Sequence, residues 1–185
     1  MSMLGISLLN QIVNQELYEN VELLSAAEIL NKLRKAIIQS LGHGAEESLQ
    51  DGMDMSLVII NKKTNKLNYS GAYTPLILIK NDKLITLKAD RMPVGYHYIK
   101  ISDDFKNQYV EIAKNDFIYL FSDGYQDQFG EDGTQKFSPQ AFRSLIFENR
   151  NLPMKNQRQI LEENLDKWKG SCRQLDDIIV IGIKI

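Results

Sequence analysis

Apolar residues along this chain change spacing in blocks, from helical to strand-like, back to helical and again to strand-like, and this segregation constrains the fold most. Ile6, Leu9, Val13 and Leu17 recur at helical spacing, with Leu8 and Ile12 widening the stripe. A second helix starts at Ser25-Ala26-Ala27-Glu28, which fits a capping box with Leu24 and Ile29 as the hydrophobic staple. Its apolar face is Leu30, Leu33, Ile37 and Leu41, and Gly42 ends it. From Asp51 the spacing shortens. Met55 to Ile60 reads as a buried strand that returns through Lys62–Lys66 into Leu67–Ser70. Leu76–Lys80 and Leu84–Leu87 flank the turn Asn81-Asp82, and Tyr109–Ala113 leads into Phe117–Phe121. Ala89 to Gly95 reads as a loop. Ser138-Pro139 opens a helix that buries Phe142, Leu145 and Ile146, Pro153 breaks it, and a helix from about Lys155 to Lys169 buries Ile160, Leu161, Leu165 and Trp168. Ile178–Ile185 is the last strand.

Two helices, a run of strands, two helices and a final strand give an α+β domain, with helices covering antiparallel sheets. A doubly wound parallel sheet requires strict alternation, which is absent. The chain of 185 residues, 43% apolar and 25% charged, is read as one domain covering 1–185. A net charge of −2 carries no basic patch suited to nucleic acid or anionic lipid. No apolar run is long enough to span a membrane, and one cysteine, Cys172, suits a reducing compartment, so a cytoplasmic location is expected. His43 stands between glycines after a helix end, with no strand before it, and is given no role.

Two stretches carry candidate chemistry. Phe117-Ile118-Tyr119-Leu120-Phe121 stops at Ser122-Asp123-Gly124, and Asp176-Asp177 stand directly before the last strand. Aspartates at strand ends can converge past a sheet edge, where their mutual repulsion calls for a hard divalent cation such as Mg²⁺ or Mn²⁺. Asp-Gly after a strand is also an ordinary turn, and Asp-Asp before one is often solvated loop.

Several motifs occur in order: Leu67 to Leu76, Ala89-Asp90-Arg91-Met92-Pro93-Val94-Gly95, Phe121-Ser122-Asp123-Gly124, Phe129-Gly130, Trp168-Lys169-Gly170 and Asp176-Asp177-Ile178. Together they resemble the stage II sporulation protein E branch of the metal-dependent (PPM, type 2C) Ser/Thr protein phosphatases. The resemblance implies a four-layer β-sandwich flanked by helix pairs, two Mn²⁺ or Mg²⁺ ions, and attack by a metal-bound water without a protein nucleophile. It implies Asp123 and Asp176 as metal ligands, with Asp177, Asp127 and Gly124 as supporting or accessory residues. By the same resemblance, the substrate would be a phosphorylated regulatory protein of the anti-sigma-factor-antagonist type, with an upstream sensor domain in the full-length protein.

The family's earlier Gly-Asp and Asp-x-Thr-Gly-His-Gly segments do not occur in this sequence. The expectation is therefore an N-terminally truncated domain that lacks its first strands, binds metal weakly, hydrolyses phosphate poorly and can self-associate as a homodimer. The alternative is a non-catalytic binding module of the same fold.

Overall fold

The computed structural model describes residues 2–18, 24–41, 52–96 and 104–185. In chain order the elements are α1 (Ser2–Tyr18), α2 (Ala26–Leu41), β1 (Gly52–Met53), β2 (Met55–Asn61), β3 (Lys66–Ala72), β4 (Leu76–Lys80), β5 (Lys83–Leu87), β6 (Val94–Gly95), β7 (Gln108–Glu111), β8 (Phe117–Phe121), α3 (Gly124–Asp127), α4 (Pro139–Glu148), α5 (Met154–Lys169) and β9 (Val180–Lys184). Gly42 and His43 lie outside the described residues. Mixed α+β content with antiparallel sheets meets the fold-class expectation. The chain divides into two compact units, Met1–Pro75 with Leu87–Ile112, and Leu76–Thr86 with Ala113–Ile185.

In the first unit β3 pairs antiparallel with β2 and with β7, Leu57 opposite Ser70 and Leu67 opposite Val110. Ala27, Leu30, Leu33 and Ile37 of α2 pack with Ala72, Met92, Val94 and Phe105, and Leu8, Leu9 and Ile12 of α1 join from the side. The start of α2 is the expected capping box: the Ser25 N–H donates to Glu28 Oε2 at 2.7 Å, and the Glu28 N–H reaches Ser25 Oγ at 3.4 Å. Two more of its terminal N–H groups are met from a distance, Ala26 by Asn68 Oδ1 and Ala27 by Asn107 Oδ1. Asn68 is thereby buried without an unmet amide, because its Nδ2 donates to Asn107. The expected loop from Ala89 is partly strand: Gly52 and Met53 pair with Gly95 and Val94. β2 is half-buried along most of its length rather than buried, as a strand with one covered side is.

The second unit is built on the sheet β5-β4-β8-β9. Asn81 and Asp82 both take positive φ, 49° and 55°, the geometry of a two-residue hairpin turn that matches strand twist. Ile77, Ile79, Phe117, Tyr119 and Phe121 of the sheet pack against Tyr125, Phe137, Phe142 and Ile146. Ser138 caps α4, its Oγ accepting from the Ala141 N–H at 3.2 Å, with Pro139 at the first helical position. Ile160, Leu161, Leu165 and Trp168 of α5 are half-buried rather than buried. The buried residue of that helix is Gln157, whose Oε1 accepts from the Tyr119 hydroxyl and whose Nε2 donates to the Arg150 and Leu152 carbonyls. A polar side chain can occupy the centre of this contact because every group it brings is paired. The last strand is shorter than expected, starting at Val180.

Candidate functional site

Antiparallel pairing of β8 with β9 sets Phe121 opposite Val180 and Leu120 opposite Ile181. Just past the strand ends Ser122 still pairs with Ile179, and Gly124 lies against the Asp177 backbone. Residues far apart in sequence thus share one end of one sheet. Ser122 fastens that end: its Oγ donates to the Asp177 carbonyl at 2.8 Å and accepts from the Ile179 N–H at 2.9 Å. Its own N–H donates to the Ile179 carbonyl at 2.9 Å.

Gly124 explains its side-chain-free position by contact rather than by φ. A Cβ there would lie 2.5 Å from the Asp177 carbonyl oxygen and 3.1 Å from its carbon. The absence of a side chain lets the Asp123 turn and the Asp177 segment touch. The Asp-Gly turn leads straight into the single-turn helix α3, with Asp123 at its N-cap. Aromatic packing holds this turn from below, Tyr125 against Phe137 with ring centres 5.0 Å apart and against Phe142 at 4.9 Å. The Tyr125 hydroxyl donates to the Leu161 carbonyl at 2.9 Å, and burial pushes that phenol well above its usual range.

Asp123, Asp176 and Asp177 are all exposed. Asp123 makes no side-chain capping hydrogen bond, although its position would allow one. Asp176 Oδ1 accepts from the Asp177 N–H at 2.7 Å. Asp127 faces a different partner, an ion pair with Lys136 at 2.9 Å with both side chains about half-exposed. These donors are hard carboxylate oxygens, the chemistry that Mn²⁺ and Mg²⁺ take. Among the described residues, no group of three or more His, Cys, Asp or Glu side chains is arranged to hold a metal. Two exposed aspartates with the donor chemistry of a divalent ion stand on the segments at this sheet end, without a complete shell among the described residues.

Sequence reasoning quoted Ser122 within the Phe121-Ser122-Asp123-Gly124 motif without giving it a role, and gave none to Gln128. Gln128 is almost fully buried, and its Nε2 donates to the Phe129 carbonyl and, at 3.2 Å, to the Arg173 carbonyl, tethering the approach to Asp176. The Trp168 indole N–H in turn donates to the Gln128 carbonyl at 3.0 Å.

The sequence profile of the family described as stage II sporulation protein E (SpoIIE) matches residues 2–185. This chain belongs to the SpoIIE family. The SpoIIE family is a branch of the metal-dependent protein phosphatases, and the chain is a domain of that class. Among solved structures, it is similar to the SiaA-PP2C domain of Pseudomonas aeruginosa, with a TM-score of 0.82 at 23% identity over 99% of this chain and 68% of that one. It is also similar to the PP2C phosphatase domain with a fragment of the regulatory domain of Bacillus subtilis SpoIIE, TM-score 0.66 at 15% identity, over 96% of this chain and 48% of that one. The B. subtilis phosphatase domain presoaked with Mn matches with a TM-score of 0.60 at 14% identity, over 98% of this chain and 73% of that one. At these identities the likeness shows the fold. A comparison with curated proteins finds no match. Among the described residues, no helix is long and apolar enough to cross a membrane.

Proposed function

We propose that this chain is a protein serine/threonine phosphatase domain that acts on a phosphorylated regulatory protein of the anti-sigma-factor-antagonist type. The observation that carries the reading is the β8–β9 register, which supports Asp123 and Asp176 as carboxylates of one site in a chain of the SpoIIE family. Mn²⁺ or Mg²⁺, two ions in the intact domain, would supply an activated water and positive charge for the phosphoryl oxygens. Asp123 and Asp176 would hold such an ion, and Asp177 would orient what surrounds it. Ser122 and the bare Cα of Gly124 keep the two carboxylate-bearing segments in register. Asp127, engaged by Lys136, serves as an accessory acidic residue once that lysine is displaced. Two carboxylates provide little charge and few ligands, so metal is held weakly and turnover is slow. The B. subtilis SpoIIE structure that includes part of a regulatory domain supports an upstream sensor in the longer protein.

The test is Mn²⁺-dependent hydrolysis of p-nitrophenyl phosphate by the chain and by Asp123→Asn. Loss of groups that merely orient a ligand costs about 10–100-fold in metal affinity or activity, so removal of a ligand charge should cost at least that. Metal-independent hydrolysis, or full activity in Asp123→Asn, refutes the site. The second reading, a binding module without turnover, draws on the lack of a three-carboxylate group among the described residues. It predicts retained binding of the phosphoprotein with no hydrolysis at any Mn²⁺ concentration.

A further inference from the structure

We propose that Tyr73 and Arg91 form a docking point for the phosphorylated segment of the protein substrate, with Arg91 taking the phosphate and Tyr73 a neighbouring side chain. The identity of that partner rests on the phosphatase reading; the surface itself does not. It starts from a strained turn. Among the described residues six non-glycine residues take positive φ. Four are Asn65, Asn81, Asp82 and Asn115, types whose short polar side chains visit this region in turns. Ser138, at φ 80°, caps α4. Tyr73, at φ 55°, fits neither case, and a bulky residue in this region is an outlier that persists only where its surroundings impose it. The Thr74 N–H donates to the Ala72 carbonyl at 2.6 Å, closing a three-residue turn centred on Tyr73, whose positive-φ form is the rare and strained one.

Those surroundings are on hand. The Tyr73 N–H donates to the Asp90 carbonyl and the Asp90 N–H to the Gly71 carbonyl, each at 2.9 Å. The buried Tyr69 donates its hydroxyl to the Thr74 carbonyl at 2.8 Å, and a Cβ on Gly71 would lie 2.6 Å from that same oxygen. Ala72 faces Met55 on one side and Asp90 on the other, so the turn does not spring from an open sheet edge. The outcome is a fixed aromatic residue left 43% exposed. Arg91 follows the residue that clamps it. Arg91 is exposed and makes no hydrogen bond or ion pair among the described residues. The adjoining Asp90 carboxylate is taken by the Lys106 N–H at 2.8 Å. Beyond Arg91 the chain is buried at Met92, Pro93 and Val94, and Val94 pairs with Met53. A guanidinium free of carboxylates and an aromatic residue, projected from one backbone bridge, suit a phosphate and the side chain next to it. Because both backbones are already held, little ordering is lost on binding.

The test is binding of arrayed phosphoserine peptides, and of the same peptides unphosphorylated, to the metal-free full chain, with the best-bound peptide then titrated by fluorescence anisotropy. Tyr73→Gly and Arg91→Ala should each weaken that peptide by about thirtyfold, the size at which an interface residue counts as an anchor. Arg91→Lys should recover only part of the affinity, since an ammonium cannot make the two-pronged bond to phosphate. Tyr73→Gly should melt at or above the wild-type temperature, because relief of left-handed strain exceeds the freedom added to the unfolded chain. A Tyr73→Gly variant that melts well below wild type overturns the proposal, since the ring would then serve the fold. No phosphopeptide bound, equal binding of the unphosphorylated peptides, or undiminished affinity in either variant overturns it as well. Mn²⁺-dependent p-nitrophenyl phosphate hydrolysis by the wild-type preparation reports on the phosphatase reading separately. Hydrolysis without peptide binding sinks the docking point alone, and peptide binding through Tyr73 without hydrolysis sinks the phosphatase reading alone.

Discussion

Replacing Gly124 with alanine tests the contact between the two halves of the site directly. The new Cβ meets the Asp177 carbonyl oxygen at 2.5 Å, its carbon at 3.1 Å and Ile178 Cγ1 at 3.1 Å. Two of these atoms are backbone, and Ser122 pins that backbone from both sides at 2.8 Å and 2.9 Å. No flexible side-chain end can yield, so the overpacking cost lies in the range of about 1–3 kcal/mol. Against it stands the reduced freedom of the unfolded chain, a gain of about 0.4–1 kcal/mol for Gly→Ala where φ is compatible. Steric cost wins. A net loss of about 1–2 kcal/mol lowers the melting temperature of a chain this size by roughly 2–8 °C. Titration calorimetry should show weakened Mn²⁺ binding in the same variant, because relief of the clash moves Asp177 away from Asp123. Gly133→Ala is the control. Gly133 has φ of 68° with nothing within 4 Å of an added Cβ, so it costs about 1–2 kcal/mol of left-handed strain and leaves Mn²⁺ binding unchanged. If Gly124→Ala melts at or above the wild-type temperature, the backbone of Asp177 does not rest on Gly124 and the reasoning fails.

Two further outcomes follow from titrating groups. Ser25→Ala should cost about 0.5–1 kcal/mol at neutral pH in urea unfolding, toward the low end for a cap because Asn68 and Asn107 already serve two of the α2 donors. The hydrogen bonds from Ser25 hold Glu28 below its ordinary 4.5, so its contribution is present above that value and is lost as pH falls through the lowered one; the Ser25→Ala penalty should shrink with it, and a penalty that grows in acid contradicts this. At the other end, burial pushes the Tyr119 phenol from 10.0 up to about 12, opposed in part by its hydrogen bond to Gln157. The folded state keeps that proton longer than the unfolded one, so stability is full below pH 10 and falls as pH rises toward 12. Tyr69 and Tyr125 shift in the same direction and steepen the fall. A urea midpoint that stays flat across that window would show these phenols ionising freely in the fold.

Features written in local chemistry were legible in the sequence. The Ser25–Glu28 box, the Ser138-Pro139 start and the Asn81-Asp82 turn each depend on neighbouring residues alone, and each forms as read. Features made by distant partners were not. The β1–β6 pairing joins Gly52 and Met53 to a stretch punctuated by Pro93 and Gly95, which by itself reads as loop. α3 was hidden because Ser-Asp-Gly signals a turn equally well, and the aromatic packing that holds the helix comes from Phe137 and Phe142. In α5 the periodic apolar positions drew attention, while the buried position is Gln157, whose partners Tyr119, Arg150 and Leu152 carry no common sequence signal. The candidate site divides in the same way: its aspartates could be read from strand ends, whereas the roles of Ser122 and Gln128 could not.

Register is what turns scattered aspartates into one candidate site. Phe121 opposite Val180 sets Gly124 against Asp177, and the bare Cα of Gly124 is what that contact tolerates. A slip of one residue would send every β9 side chain to the other face, presenting Val180 where Ile179 is exposed and setting a different residue against Gly124. The Ser122 hydroxyl opposes such a slip, since its bonds to the Asp177 carbonyl and the Ile179 N–H can both form in only one alignment.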